Sequence, residues 1–252
     1  MPCQLSWHEF RKRCAKPVPS LWVDHGEIMR RFPELTERHD RIIVVASGPS
    51  GAPCGRWRKH PGVPVIAVNA AIEGLQFTPD YFVTIDPKPF RRDLWGVERP
   101  GCKRFIGCCE DYGPESHDPR YQQDFTGAHI LMRKQGRPTR DKRTLFHNNS
   151  GIAGIHLALH MEASRIAVFG VDLGGGYWCP EYGPMAQWDG LDQLLLAFQD
   201  WGADIRFASH RASRVHGFER MPAADLLAWI QAVDRSGEDA IVGVNSQARP
   251  VA

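Results

Sequence analysis

The sequence lacks the short motifs that identify the common nucleotide-binding and metal-binding folds. It has neither a G-x-G-x-x-G fingerprint nor a phosphate-binding loop that ends in Gly-Lys-Ser or Gly-Lys-Thr. Its seven cysteines are an odd number and form no C-x-x-C pair, which argues against both a disulfide framework and a zinc site. We therefore expect reduced thiols, as in a cytosolic protein.

Long apolar runs and an excess of charge are also missing. The chain has no stretch of about 18 apolar residues, and residues 1–16 are polar and basic, unlike a secretory signal peptide. The formal net charge is only +2 over 252 residues, so the total charge gives no reason to expect nucleic-acid binding. These features predict a cytoplasmic protein without a membrane span.

The chain does contain an alternation of apolar strands with amphipathic helices. Strands are predicted at 42–46, 65–69, 81–86, 104–109, 129–133, 165–171 and 204–208. Helices are predicted at 150–161, 191–201 and 223–233. This order is typical of an α/β, Rossmann-like, doubly wound and mostly parallel sheet with helices on both faces. We predict a single domain at 41–252 and an N-terminal appendage at 1–40 that packs on it.

The most informative stretch is the strand at 42–45 with the small turn that follows it. The run Ile-Ile-Val-Val is apolar on both faces, as in a parallel sheet that helices cover. Ligands of such sheets bind beyond the carboxyl ends of the strands. The turn has little side-chain bulk, so its backbone N–H groups can approach a phosphate or a sugar. We predict nucleotide contacts at Ser47, Gly48, Pro49 and Ser50; a tight turn without a ligand is the alternative.

Polar residues also end three later strands. Asn69 follows 65–68, Asp86 follows 81–85, and Asp172 follows 166–171. A carboxylate at such a place can bind a ribose hydroxyl, hold Mg²⁺ through oxygen or accept a proton. We predict Asn69 and Asp86 as nucleotide contacts, Asp86 and Asp172 as metal ligands, and Asp172 also as a catalytic residue. For each aspartate the alternative is a cap of the following turn.

A helix start supplies the next candidate site. Asn149 or Ser150 can cap the helix predicted at 150–161, which leaves N–H groups at Gly151 and beyond for an anion. We therefore predict nucleotide contacts at Asn149, Ser150 and Gly151. On the same helix His156 and His160 lie four residues apart, and we expect one packed and one solvated histidine rather than a metal site.

Cations crowd the loop before this helix, where Asp141 is the one acid. Such a run is more often a solvated face than a site. Its place before a helix start favours a contact with phosphates or with nucleic acid. The basic residues of this loop, 133–143, are Arg133, Lys134, Arg137, Arg140, Lys142 and Arg143.

The segment after the strand at 204–208 begins at the same edge of the predicted sheet. His210 and His216 are the best general-base candidates, because histidine exchanges protons near neutral pH and can deprotonate an acceptor hydroxyl. Arg211 and Arg214 can neutralise a diphosphate. An aromatic group elsewhere is predicted either to stack on a base or sugar or to form a packed loop. It comprises Tyr177, Trp178, Tyr182 and Trp188.

Several of these segments occur in the same order in a known superfamily. They are Val44-Val45-Ala46-Ser47-Gly48-Pro49-Ser50, Pro79-Asp80-Tyr81-Phe82-Val83-Thr84-Ile85-Asp86-Pro87, Asn149-Ser150-Gly151 and the run that ends in Gly170-Val171-Asp172. Over about residues 41–175 the chain resembles the superfamily that joins bacterial sialyltransferase-like glycosyltransferases, motility-associated glycosyltransferases and archaeal 6-hydroxymethylpterin diphosphokinase-like proteins. Short phage-encoded proteins share the pattern.

The resemblance implies a Rossmann-like fold with a nucleotide in a crevice at the strand ends. It also implies a cytoplasmic location, in the bacterial host if the protein is phage-encoded. The crevice would be formed by the turn at 47–50, Asn69, Asp86, the segment at 149–151 and Asp172.

The chain departs from the sialyltransferase-like members at two places. Those members usually carry Asn where this chain has Ser47, and they place a catalytic histidine in a lid after the Gly-Val-Asp strand. This chain has no histidine between Asp172 and His210. The diphosphokinase-like members use ATP and Mg²⁺, which suits Asp86 and Asp172.

Three functions follow as hypotheses. The leading one is a nucleotide-dependent transferase, foremost a glycosyltransferase with a nucleotide-sugar donor, in which the 47–50 turn and the 149–151 segment hold the donor phosphates. The second is an ATP- and Mg²⁺-dependent diphosphokinase or phosphotransferase that acts on a small hydroxymethyl compound. The third is a non-catalytic accessory protein that binds nucleic acid through the basic loop 133–143.

Overall fold

The computed structural model of the protein describes residues 34–85, 99–108, 128–134, 137–146, 149–178 and 190–232. Within these residues nine strands form one sheet, and every neighbouring pair is parallel. The strands are β1 (Arg41–Val45), β2 (Val65–Val68), β3 (Tyr81–Thr84), β4 (Lys103–Cys108), β5 (Ala128–Lys134), β6 (Thr144–Phe146), β7 (Arg165–Phe169), β8 (Asp204–Ala208) and β9 (Glu219–Met221).

The strand order is β6-β5-β4-β3-β2-β1-β7-β8-β9. The chain therefore builds the sheet outward from β1 in one direction, returns to the other side of β1 with β7, and continues to β9. This reversal is the defining feature of a doubly wound sheet. The predicted Rossmann-like fold class is confirmed.

Four α-helices accompany the sheet in the described residues: α1 (Ala71–Gly74), α2 (Ser150–His160), α3 (Leu191–Leu196) and α4 (Ala223–Gln231). Two 3-10 helices span Pro49–Arg56 and Ala197–Trp201. The helix predicted at 191–201 is thus α3 followed directly by a tighter 3-10 turn. The helices predicted at 150–161 and 223–233 end one and two residues earlier than expected.

Helices cover both faces of the sheet, as the apolar run of β1 predicts. Ile42 and Val44 pack in a core with α2, whereas Ile43 and Val45 pack in a second core with the first 3-10 helix and α4. All four side chains are fully buried. Burial of each contributes roughly 1.5–3 kcal/mol, so the centre of the sheet is fixed by hydrophobic packing on both sides.

Helix α2 is buried along its whole length, including its polar residues Ser150, His156 and His160. The helix packs tightly on the sheet at Gly154, where a Cβ would lie 2.8 Å from Cγ2 of Val68 and 3.0 Å from Cγ1 of Val44. The absence of a side chain at Gly154 lets the helix axis lie directly over β1 and β2. This position brings the start of α2 to the carboxyl edge of the sheet.

The end of the predicted appendage packs on the domain. Leu35 is 2% exposed and belongs to the core on the α2 side. The backbone N–H of His39 donates to the carbonyl of Met161 at 2.9 Å, and the His39 ring hydrogen-bonds to the hydroxyl of Tyr81 at 2.6 Å. Residues 1–33 lie outside the described residues, so the boundary at residue 40 stays a prediction.

Cys54 and Cys102 are free thiols. Burial raises the pKa of the Cys54 thiol far above its ordinary value, and burial together with Asp80 raises the pKa of Cys102 to about 11. Because the thiolate is the reactive form, a raised pKa disfavours reaction of both thiols at neutral pH.

Candidate functional site

β1 and β7 lie side by side at the point where the strand order reverses. They are in parallel register, with Val45 opposite Phe169 at their carboxyl ends. In open α/β sheets the ligand crevice lies at such a switch point, beyond the strand ends. The segments that follow Val45 and Phe169 are therefore the walls of the candidate site.

Three hydrogen bonds join these two segments. The N–H of Gly48 donates to the carbonyl of Gly170 at 2.8 Å, and the N–H of Gly170 donates to Oγ of Ser50 at 2.8 Å. The N–H of Ser50 donates to Oδ2 of Asp172 at 2.8 Å. Glycine is required for this approach, because a Cβ on Gly48 would lie 2.5 Å from the Gly170 carbonyl oxygen. The turn and the end of β7 form one tightly connected unit.

The carboxylate of Asp172 lies inside this unit, and the residue is 1% exposed. Burial raises the pKa of Asp172, while the N–H and hydroxyl of Ser50, the charge on His210 and the hydroxyl of Ser213 act in the opposite direction. The carbonyl of Asp172 also accepts from the N–H of Arg214 at 2.8 Å. Asp172 thus connects three chain segments, and its predicted catalytic and metal-binding roles stay predictions.

The turn at 47–50 uses its own polar groups inside the protein. Ser47 and Ser50 are buried, the N–H groups of Gly48 and Ser50 are engaged as above, and the carbonyl of Ser47 accepts from the N–H of Trp178 at 2.9 Å. The Asp172 carboxylate occupies the position on the Ser50 N–H that a phosphate oxygen would take. The nucleotide contacts predicted for this turn therefore stay predictions, and a phosphate that used these N–H groups would have to displace internal hydrogen bonds.

Trp178 fills a slot made of glycines beside the turn. Its indole N–H donates to the carbonyl of Ala46 at 2.9 Å. A Cβ on Gly51 would lie 2.7 Å from Nε1 of Trp178, one on Gly55 would lie 2.8 Å from its ring, and one on Gly74 would overlap the ring. Only residues without side chains can line this slot. The sequence indicated an aromatic group here, but not the glycines that receive Trp178.

Asn69 ends β2 with a left-handed backbone, φ 50°, which asparagine tolerates better than most residues. Its N–H donates to the carbonyl of Val83 at 3.2 Å, and its carbonyl accepts from the N–H of Ile72 at 3.3 Å. The backbone of Asn69 is thereby held between β3 and α1 at the carboxyl edge. Asp86 lies outside the described residues, so its nucleotide and metal roles stay predictions.

The start of α2 reaches the same edge of the sheet. Asn149 caps the helix, because its Oδ1 accepts from the N–H of Ile152 at 3.0 Å, as the sequence indicated for this position. A Cβ on Gly151 would lie 3.0 Å from Cγ2 of Val171, next to Asp172 in the chain. Asn149, Ser150 and Gly151 are thus close to the switch point, and their predicted contact with a nucleotide stays a prediction.

Three of the six cations of the basic loop form ion pairs within the protein. The ion pairs are Arg137 with Asp200 at 3.1 Å, Lys142 with Glu162 at 2.5 Å and Arg143 with Asp141 at 2.9 Å. Arg140 donates to the carbonyl of Asp200 at 2.8 Å and stacks over the ring of Trp201, 4.9 Å from its centroid. These contacts fasten the segment 137–143 to the rest of the domain.

His156 and His160 are both buried, so the expectation that one of them is solvated is wrong. Their ring centroids lie 4.1 Å apart, and each residue is 1% exposed. His156 accepts from the N–H of Phe146 at Nδ1 and donates from Nε2 to the carbonyl of Thr139. The error arose because the helix pattern alone does not reveal that residues 137–146 cover the outer side of α2.

The C-terminal candidates lie beyond β8. Ser209, His210, Arg211 and Arg220 line an open depression of about 310 Å³. His210 accepts from the N–H of Ala212 at Nδ1, at 3.2 Å, which assigns its proton to Nε2. The exposed His216 lies outside this lining. Arg220 was missed by the sequence analysis, because its three-residue strand β9 carries no strand pattern.

The described residues contain no group of three or more histidine, cysteine, aspartate or glutamate side chains that could hold a metal ion. In this same part of the chain no helix has both the length and the apolar character needed to cross a membrane. No protein-family model matches the chain, and a search of the curated proteins found no significant match.

Proposed function

We propose that the protein is a nucleotide-dependent transferase whose nucleotide binds at the β1–β7 switch point. The observation that carries this proposal is the convergence of three polar segments there: the 47–50 turn, the start of α2 and the Asp172 segment. Doubly wound parallel sheets bind their ligands, dinucleotides and FMN among them, in the crevice at this point.

Glycosyl transfer from a nucleotide-sugar donor is the reaction we favour, on the resemblance described above. Nδ1 of His210 accepts a hydrogen bond from the N–H of Ala212, and in the neutral ring the proton is therefore on Nε2. Neither nitrogen has a free lone pair to accept a proton, which weighs against His210 as the general base. His216 is exposed and is the better candidate to take the proton of an acceptor hydroxyl. Phosphoryl transfer from ATP with Mg²⁺ is the competing reaction.

Nucleic-acid binding through the basic loop has less support. Arg137, Arg140, Lys142 and Arg143 each have a partner within the protein. A phosphate backbone would have to replace these contacts, which lowers the electrostatic free energy available for binding.

Thermal unfolding with a panel of nucleotides and nucleotide sugars, each with and without Mg²⁺, tests the proposal. A ligand that binds the native state raises the melting temperature, by an amount that grows with concentration over Kd. A shift with a nucleoside diphosphate, CMP or their sugar conjugates supports glycosyl transfer, whereas a shift only with ATP and Mg²⁺ supports phosphoryl transfer. The matched control is the nucleoside without phosphate. The absence of a shift with every nucleotide would refute the proposal.

A further inference from the structure

The depression brings together polar side chains from β9 and from the segment that follows the neighbouring parallel strand β8. The N–H of Ser209 donates to the carbonyl of Met221 at 2.8 Å, so β8 and β9 remain paired up to this edge. Phe207 is opposite Arg220 in the register. Because side chains alternate along a strand, Ser209 lies on the same face as Phe207 and therefore beside Arg220.

The two arginines of the depression are not paired with any acid of the described residues. Among the residues that the structure describes, no hydrogen bond or ion pair is made by the side chains of Arg211 and Arg220. The two acids on the adjacent strands, Asp204 and Glu219, are both bound by Arg206. Arg206 stacks on Trp229 of α4, on the opposite face of the sheet. The acids are thus segregated from the depression.

His210 adds a directed donor to these cations. Its Nδ1 accepts from the N–H of Ala212, which leaves Nε2–H to donate. The segment that carries His210 also reaches the switch-point crevice, because the N–H of Ser213 donates to the carbonyl of His210 at 3.0 Å and the N–H of Arg214 donates to the carbonyl of Asp172 at 2.8 Å. The depression is therefore next to the proposed nucleotide site but is built from different residues.

We propose that Ser209, His210, Arg211 and Arg220 form a binding site for a phosphate group. A guanidinium offers a planar fork of N–H donors that matches phosphate oxygens, and a serine hydroxyl and an imidazole N–H add further donors. Among the residues that the structure describes, no acid lines the depression, so the site favours a dianion over a cation or a neutral group. The volume of about 310 Å³ suits a phosphate with a small attached group.

Titration of the full chain with inorganic phosphate tests this site, with sodium chloride at equal ionic strength as the baseline. We expect R220Q and R211Q each to weaken phosphate binding at least tenfold, because each removes a charge-assisted contact. R220K, which keeps the charge but loses the fork, should lie between R220Q and the unchanged protein. The matched control is K59Q, which removes one positive charge from an exposed residue outside the depression.

Two results would overturn the assignment. One is phosphate affinity in R220Q and R211Q equal to that of the unchanged protein. The other is an equal loss of phosphate affinity in K59Q, which would show that phosphate responds to the total charge of the protein rather than to a local site. Circular dichroism and the melting temperature of each variant without phosphate establish that a loss of binding does not reflect unfolding.

Competition between phosphate and nucleotide identifies the source of the phosphate group. Displacement of inorganic phosphate by a nucleoside diphosphate assigns the group to the nucleotide donor. Simultaneous binding of both assigns it to a phosphorylated acceptor. The phosphate site does not depend on the proposed function. If no nucleotide binds, the proposed function is refuted, but phosphate binding by the unchanged protein and its loss in R220Q would still support the phosphate site.

Discussion

The N–H of Ser50 donates to the carboxylate of Asp172 at 2.8 Å, across 122 positions of the chain. This bond ties the first turn of the sheet to the end of β7, the two walls of the switch-point crevice. The hydroxyls of Ser50 and Ser213 also act to lower the pKa of Asp172, against the effect of burial. A single buried carboxylate therefore organises the candidate site before any ligand is bound.

Replacement of Asp172 separates this structural role from a chemical one. Asp172→Ala leaves the buried N–H of Ser50 without an acceptor, and we expect a loss of about 2 kcal/mol or more in the free energy of unfolding. Asp172→Asn keeps an acceptor oxygen and removes a charge that burial disfavours, so its cost should stay within about 1 kcal/mol. Urea unfolding measures both.

Asp225→Ala is the matched control, because Asp225 is an exposed aspartate in the first turn of α4. Its loss should cost less than about 1 kcal/mol. The structural role is refuted if Asp172→Ala is no more destabilising than this control. Nucleotide binding by a well-folded Asp172→Asn protein then reports whether the negative charge itself is needed.

The glycine slot predicts an energetic coupling between Gly74 and Trp178. In the unchanged protein Gly74→Ala places a methyl group into the indole ring, and such overpacking typically costs about 1–3 kcal/mol. With Trp178→Ala the ring is absent, so the same substitution should cost less than about 0.5 kcal/mol. A double-mutant cycle by urea unfolding should give a coupling energy of at least about 1 kcal/mol.

Gly62→Ala serves as the control for this cycle. Gly62 has φ +78° and open space around it, so its substitution costs backbone strain alone. That cost should be equal with and without Trp178. A coupling energy for Gly74 no larger than that for Gly62 would mean that Trp178 does not occupy the slot in solution.

The cap of α2 gives a third prediction. Asn149→Ala removes the acceptor for the N–H of Ile152 and should lower the free energy of unfolding by about 1 kcal/mol. Asn149→Asp retains an acceptor oxygen and should remain within about 0.5 kcal/mol of the unchanged protein. Urea unfolding at neutral pH compares the two, and equal losses in both would contradict the capping role.

The sequence was sufficient to predict the centre of the fold, since the apolar runs of β1, β2 and β7 can only be buried on both faces. Short edge elements were missed. β6 and β9 have three residues each, and Glu219-Arg220-Met221 has no apolar pattern. These strands exist because they pair with β5 and β8, which periodicity cannot reveal.

The sequence predicted where the candidate site lies, but not which hydrogen bonds connect its residues. Parallel strands end at one edge, so polar residues after β1 and β7 must be near each other. Whether Asp172 faces a ligand or the Ser50 N–H depends on the course of two turns, and no local pattern encodes that. The 3-10 helix Pro49–Arg56 was missed for a related reason, because Pro53 and its glycines suppress a helical pattern.

The buried histidine pair predicts that stability falls as the solution becomes acidic. Burial lowers the pKa of His156 to about 4, and burial together with His156 lowers the pKa of His160 still further. The unfolded chain therefore binds more protons than the folded protein below about pH 6.5. Above that pH the neutral pair makes its full contribution to the free energy of unfolding. As the pH falls toward 4 this contribution is lost, and the free energy of unfolding decreases by up to about 1.4 kcal/mol per pH unit for each histidine.

Urea unfolding between pH 5 and 7 measures this slope in a range where most carboxylates stay ionised. His160→Gln removes one of the two buried groups, and we expect it to lower the slope of unfolding free energy against pH. His216→Gln, which removes an exposed histidine, is the matched control. An equal reduction of the slope in both variants would show that the pH dependence does not arise from the buried pair. A reduction confined to His160→Gln would assign the slope to the buried pair, in which the ring of His156 must be neutral because its Nδ1 accepts from the N–H of Phe146.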